Sequence, residues 1–394
     1  MKVNRAIQEG LRMMKFEDVR CRHQAGTLTC EGAAELLGVD VRTFLRWRNK
    51  QVETGVSEWK DGRVGKLPSH KAADSEVEEI TNIYKEKFFN FNIKHFHSYL
   101  CLEYEGFSRS YSWVKRALEA AKLVVPSKQG GDHRLRRPRR PQTGMMIHQD
   151  ASTHNWFGVE NCDLVVTLDD GDSLITSAFF CLQEGTLSSM RGILETIESY
   201  GIFCSFYTDR GSHYWFTPEA GGKVDKTRLT EVGRALKQIG IKHIAAYSPE
   251  ARGRSERMFR TLQGRLPAEL KLHGITTMDA ANTYLRKTYL PRHNNEFTVT
   301  PKDMKSAFIP YIGRPLADIL CIQEERVVAK DNTIRYNGNI LQIPVSAHRH
   351  HFVKADVTVC HYPSDDLAIF HGHLCLGRFD KNGLPALNTS SAVT

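Results

Sequence analysis

Nothing in this 394-residue chain approaches the roughly 20 consecutive apolar residues that cross a bilayer, and its N-terminus lacks the apolar core of a secretion signal. No membrane partner is expected. None of the nine cysteines stands in a Cys-x-x-Cys pair, which argues against a zinc ribbon or disulfide framework and for a reduced, cytoplasmic setting. His348, His350, His351, His361, His371 and His373 gather near Cys360 and Cys375, but no paired-ligand loop joins them into a metal site. Acidic charge is in deficit: 45 Asp and Glu face 54 Lys and Arg, and the net charge of +9 favours a polyanionic partner.

Against that deficit, three widely spaced acids stand out by their local settings. Asp150 ends the short strand-like segment from Met145, and Asp209 ends the denser strand pattern from Ile202, just before Arg210-Gly211-Ser212. Glu256 follows the turn-rich stretch Ser248-Pro249-Glu250-Ala251-Arg252-Gly253-Arg254-Ser255 and opens a helical pattern. Two strand ends and one helix start can converge on one point. Clustered carboxylates are the hard oxygen ligands that Mg²⁺ or Mn²⁺ prefers, and phosphoryl transfer rests on positioning and charge neutralisation. Two competitors exist. Asp169, Asp170 and Asp172 form a denser cluster, but with Gly171 they read as the turn of a hairpin. Glu250 follows Pro249 directly, whereas Glu256 sits at the helix start.

The intervening segments define a layout. Asp163 to Leu168 and Ser173 to Leu182 form the hairpin, and with the strand ending at Asp150 they make a meander. Leu187 to Tyr200 carries Met190, Ile193, Leu194 and Ile197 at helical spacing, closed by Gly201; Thr227 to Ile239 repeats this before Gly240, and Ile241 to Tyr247 is a last strand. The order is strand, strand, strand, helix, strand, helix, strand, helix, with three antiparallel strands extended by parallel ones, as in an RNase H-like domain.

With Gln149-Asp150, Thr208-Asp209-Arg210-Gly211-Ser212, and Ser248-Pro249 through Gly253 to Glu256, the chain resembles the DDE superfamily of retroviral integrases and insertion-sequence transposases. Pro249 and Gly253 stand seven and three residues before Glu256, matching the family offsets, and Asn294 with Thr300-Pro301 resembles its downstream signature without the usual Arg-Pro-His. The 46 residues between Asp209 and Glu256 exceed the usual integrase spacing, and Tyr214 to Thr227 reads as the insertion responsible. The resemblance implies two Mg²⁺ (or Mn²⁺) ions at Asp150, Asp209 and Glu256. It also implies donor-DNA contact by Arg260 and Gln263, which with Glu256 form one helical stripe. Water would first attack at the donor end, and the freed 3′-hydroxyl would then attack target DNA. Double-stranded DNA, a homo-oligomer on paired ends and a bacterial, nucleoid-associated setting follow from the same resemblance.

The flanks suit DNA binding. Residues 1–66 contain a helix-turn-helix pattern: Glu31 to Leu37, the turn Gly38-Val39-Asp40, then Val41 to Lys50 with Arg42, Arg46 and Arg48 outward. Residues 67–127 hold a looser unit of Ser75 to Phe88, Ile93 to Tyr104 and Ser110 to Leu123, presenting Arg109, Lys115 and Arg116. A basic linker at 128–144 carries Arg134, Arg136, Arg137, Arg139 and Arg140, suited to a phosphate backbone or minor groove. The catalytic domain is expected at 145–275, and a helical extension at 276–322 with a helix from Met278 to Tyr289. Residues 323–381 are expected to form a small SH3-like β-barrel around the turn Asn337-Gly338, with Arg349, His350, His351 and Lys354 near phosphate, and 382–394 a frayed tail. The fold class is therefore multidomain: N-terminal all-α helix-turn-helix units, a central α/β RNase H-like catalytic domain with a mixed five-stranded sheet, and a C-terminal small β-barrel. The rivals are a catalytically decayed DNA-binding regulator and an RNase H-type nuclease without strand transfer.

Overall fold

A computed structural model describes residues 5–54, 72–125, 137–158, 160–219, 222–247, 253–345 and 349–386. Of the residues singled out in the sequence, Arg134, Arg136, Ser248, Pro249, Glu250, Ala251, Arg252 and His348 lie outside these. The chain divides into two compact units, Met1–Val77 and Glu78–Thr394. No helix among the described residues is long and apolar enough to cross a membrane.

The first unit contains α1 (Arg5–Gln24), α2 (Cys30–Leu37) and α3 (Val41–Thr54). Thr29 starts α2 by accepting the Gly32 N–H, and Gly38, at φ 64°, ends it in the left-handed region, where a side chain would be strained. The two small residues Ala33 and Ala34 admit Phe44 of α3 and Phe16 and Val19 of α1 into one core. Helix α1 supplies apolar residues too sparsely for a clear periodic signal, yet those two complete the module.

Most of α4 (Asp74–Lys87) lies in the second unit, where the helices α5 (Ile93–Glu103) and α6 (Tyr111–Ala120) follow it. Asn92 and Ser110 cap the latter two through their side chains. Ile80, Tyr84, Phe88, Phe96, Tyr99, Leu100, Val114 and Leu118 form the core, which Ala268 and Leu272 enter from far along the chain. This helical group is therefore built onto the later domain rather than tethered beside it.

That domain is a five-stranded sheet in the order β3-β2-β1-β4-β5, with β1 (Ile147–His154), β2 (Cys162–Asp169), β3 (Ile175–Cys181), β4 (Ser205–Thr208) and β5 (Lys242–Ala245). The first three strands are antiparallel, while β4 runs parallel to β1 and β5 to β4, as the element order predicts. Helices α7 (Thr186–Tyr200) and α8 (Glu231–Ile239) pack one face through Met190, Ile193, Val232 and Leu236. The other face is covered by α9 (Gly253–Gln263), α10 (Leu266–Leu272) and α11 (Met278–Tyr284), through Met258, Phe259, Leu262, Leu270 and Ala281. The helix expected at Met278 to Tyr289 instead continues through a π turn at Leu285–Tyr289 into α12 (Leu290–Phe297). Pro291, which cannot donate a backbone hydrogen bond, stands at that junction. Asn282 and Asn294 each bond both backbone groups of one β3 residue, Phe180 and Ile175, which blunts the sheet edge.

The C-terminal region corrects an expectation: it is not a closed barrel. Strands β6 (Ile322–Val327), β9 (Asp356–His361), β10 (Leu367–His371) and β11 (Leu374–Phe379) form an open sheet, while β7 (Thr333–Tyr336) and β8 (Asn339–Gln342) pair only with each other. Burial without closure explains this, since Ile334, Tyr336 and Leu341 of the hairpin cover Val357, Val359 and Ile369 of the sheet. Packing of two open sheets satisfies the apolar faces with no ladder between them.

Candidate active site

Register brings the first two acids together. In the parallel pair, Ile147 lies beside Phe206 and His148 beside Tyr207. Continued two residues, that register sets Asp150 beside Asp209, on chains about 4.8 Å apart. Side chains alternate along a strand, so both acids share the face of His148 and Tyr207, whose rings are 4.8 Å apart. Both acids are half-buried. Asp150 Oδ1 accepts its neighbour's Ala151 N–H at 3.1 Å, and Asp209 Oδ1 accepts the Gly211 N–H at 2.9 Å.

Helix α9 covers this face. Val166, the cross-strand partner of Asp150, packs in one core with Met258, Phe259 and Leu262. Gln263 Nε2 donates to Ser152 Oγ at 2.9 Å, one alternation beyond Asp150. Glu256, Arg260 and Gln263 are all exposed on α9, with Glu256 two turns before Gln263, about 10.5 Å along the axis. The aligned carboxylates of Asp150 and Asp209 suit a hard divalent cation. Among the described residues, however, no three His, Cys, Asp or Glu side chains gather closely enough to hold a metal ion. The aspartate pair is thus assembled by the sheet, while Glu256 stands on the covering helix.

The hairpin acids form the turn expected of them, and they also take a buried structural role that the sequence did not show. Asp169 and Asp170 are fully buried and Asp172 nearly so, because the hairpin end folds under the chain entering β1. Asp169 accepts the Gly144 and Gly171 N–H groups, each at 2.6 Å, yet burial, aided by the Asp172 charge, pushes its carboxyl up to about 7. Burial acts on Asp170 in the same direction. There it is outweighed by His148, whose Nε2 lies 2.9 Å away, by the Arg140 N–H and by the Arg254 charge, which hold the group below its ordinary range. Asp170 binds Arg137 and Arg254 together, and Arg254 also donates to the Arg137 carbonyl at 2.8 Å. One carboxylate therefore fastens the chain entering β1, the face of β1 beside Asp150, and the first turn of α9 beside Glu256.

The candidate DNA-contact residues are scattered. Arg42 and Arg46 are exposed on α3, while Arg48 is half-buried and bonds Asn49. Arg109 lies over the Trp113 ring, Lys115 pairs with Glu119, and Arg116 bonds the Ser112 carbonyl. Arg137 is engaged by Asp170, Arg139 by Ser173 Oγ at 2.7 Å, and Arg140 rests against the Met146 sulfur. The sequence did not single out His148, and it weighed Asp170 only as part of a competing acidic cluster. Period-two alternation from Asp150 could have flagged His148, whereas nothing local marks Asp170 as buried.

The chain is similar in sequence to two known transposases. No protein-family model matches the chain. A putative transposase, y4bF, of Sinorhizobium fredii is 28% identical over 317 residues, covering 79% of this chain and 68% of that protein. The transposase for insertion sequence IS1202 of Streptococcus pneumoniae is 36% identical over 185 residues, 47% of this chain and 37% of the relative. The chain thus spans about two thirds of one relative and little more than a third of the other. Among solved structures, a simian T-cell lymphotropic virus intasome chain aligns over 79% of this chain and 99% of its own, at 13% identity and TM-score 0.34. The HTLV-2 integrase catalytic core domain in complex with magnesium aligns over 42% and 96%, at 16% identity and TM-score 0.31.

Proposed function

We propose that this chain, which is similar to a putative transposase and to the transposase of an insertion sequence, is a DNA transposase that binds the terminal inverted repeats of a mobile element and catalyses cleavage and strand transfer. The observation that carries this reading is the register that aligns Asp150 with Asp209 on the sheet face beneath α9. Asp150 and Asp209 would hold a divalent cation, Mg²⁺ or Mn²⁺, with Glu256 as the third carboxylate and two ions per site. When bound, such ions activate the attacking oxygen and neutralise charge on the phosphate. Arg260 and Gln263, exposed on the same helix as Glu256, would orient the donor strand, and Arg42, Arg46 and Arg109 would bind duplex DNA. Action on paired ends calls for a homo-oligomer.

Nicking and joining of labelled element ends by the full chain, with Mg²⁺ supplied, tests the proposal. Asp209→Asn should abolish both while leaving end binding intact. Full strand transfer by that variant would sink the assignment.

A further inference from the structure

The segment that lengthens the interval between Asp209 and Glu256 begins with two buried aromatic residues, Tyr214 and Trp215, at 1% and 6% exposure. Both are fixed by one turn: the Gly211 carbonyl accepts the Tyr214 N–H at 3.0 Å and the Trp215 N–H at 2.9 Å. The same Gly211 donates its own N–H to the Asp209 carboxylate at 2.9 Å.

Their polar atoms then reach the two strands separately, on the face opposite the acids. Tyr214 Oη donates to Gln149 Oε1 at 2.8 Å, while Gln149 Nε2 donates to Thr167 Oγ1 at 3.0 Å and to the Ser189 carbonyl at 3.2 Å. Trp215 Nε1 donates to Thr208 Oγ1 at 3.1 Å. Thr208 Oγ1 also lies 3.1 Å from His243 Nε2 and bonds the Asp209 carbonyl at 3.0 Å, and the Trp215 and His243 rings stack at 3.9 Å. Gln149 and Thr208 immediately precede Asp150 and Asp209, and the β1–β4 register makes them neighbours. Helix α7 closes on this clamp at Gly192, where an added Cβ would stand 2.2 Å from Gln149 Nε2.

Resting on the proposed catalytic reading, we infer that Tyr214 and Trp215 are positioning residues that pin Gln149 and Thr208, and thereby set the separation of the Asp150 and Asp209 carboxylates. The inserted segment is then part of the site's foundation rather than a surface addition. Neighbours that orient ligating side chains typically tune metal affinity by ten- to a hundredfold.

The test uses the full chain with Tyr214→Phe, which keeps the ring, and Trp215→Phe, which puts a smaller aromatic ring in place of the indole; each removes one donor. Phe203→Leu, in the same core but outside the clamp, is the packing control. Two readouts are taken: Mn²⁺ titration by electron paramagnetic resonance, and amide hydrogen exchange over residues 147–154 and 205–211 without metal. The expected result is roughly tenfold weaker Mn²⁺ binding and faster exchange in both segments for the two clamp variants, with Mn²⁺ binding unchanged in the control. Lower melting temperatures with unchanged exchange and Mn²⁺ affinity would overturn the clamp. Faster exchange in a protein whose Mn²⁺ binding is indifferent to Asp150→Asn would support the clamp and overturn the catalytic reading.

Discussion

Replacing Glu269 by Gln should release the helices α4–α6 from the domain that carries the candidate site. Glu269 is 1% exposed on α10 and receives His95 Nε2 of α5 at 2.6 Å, Tyr284 Oη at 2.6 Å and the Arg292 guanidinium. Arg292 in turn lies over the Tyr99 ring of α5 at 4.9 Å. Burial works to raise the Glu269 carboxyl, but His95, Tyr284 and Arg292 overcome it and hold the group below its ordinary range, so it stays charged near neutrality. Glutamine keeps the shape, loses the charge, and must turn an amide donor toward a donor. Removing one partner of a buried ionic pair costs about 3–5 kcal/mol because the other is stranded. Asn92 Nδ2 to the Gly264 carbonyl, at 2.9 Å, is one of the few other polar ties between these helices and α9–α10. If opening of α5 follows that cost, amide exchange across Ile93–Glu103 should accelerate by about a hundredfold or more, while β1 and β2 stay protected. Unchanged protection of α5 in a folded Glu269→Gln protein would refute the argument.

Two further outcomes follow from buried charge. Burial lowers His243 to about 3 and His293 to about 4, with Arg265 adding to the shift at His293. Both are depressed in the fold, so the unfolded chain takes up protons first and stability falls as pH drops through 6.5. By pH 5 each histidine should contribute about 2 kcal/mol of loss, which urea melts at pH 7.5 and pH 5 would register. Asp170→Asn should strip His148, Arg137 and Arg254 of their common partner, costing about 3–5 kcal/mol and loosening the first turn of α9. A melting temperature equal to wild type would contradict that role.

Much of the site was legible because its signals are local. Strand periodicity and the Gly201 and Gly240 stops depend on neighbours in sequence, and they located the meander and the two crossover helices. The Pro249-to-Glu256 spacing is local in the same way, and it proposes the third acid. The Asp169–Asp172 cluster was read correctly as a hairpin turn, but its burial was not legible, for the complementary reason. Asp and Gly in succession specify a turn whether that turn is solvated or buried, and burial depends on the 137–146 segment that folds over it. The barrel expectation failed similarly: six short strands fix neither ladder partners nor closure, which packing across the two open sheets decides.

The sequence by itself therefore determined the order of elements and the excess of basic charge, and it proposed the three acids, with Asp209 just past a strand end and Glu256 in the first turn of a helix. The strand it expected to stop at Asp150 instead runs on to His154. Tertiary structure alone decided that Asp150 and Asp209 share a register and a face, and that Asp170 is a buried fastener. It also decided that Tyr214 and Trp215 reach beneath the sheet to the residues before both acids. Register and burial are long-range properties: they arise when chain segments distant in sequence compete for the same apolar face, and local pattern does not encode the outcome.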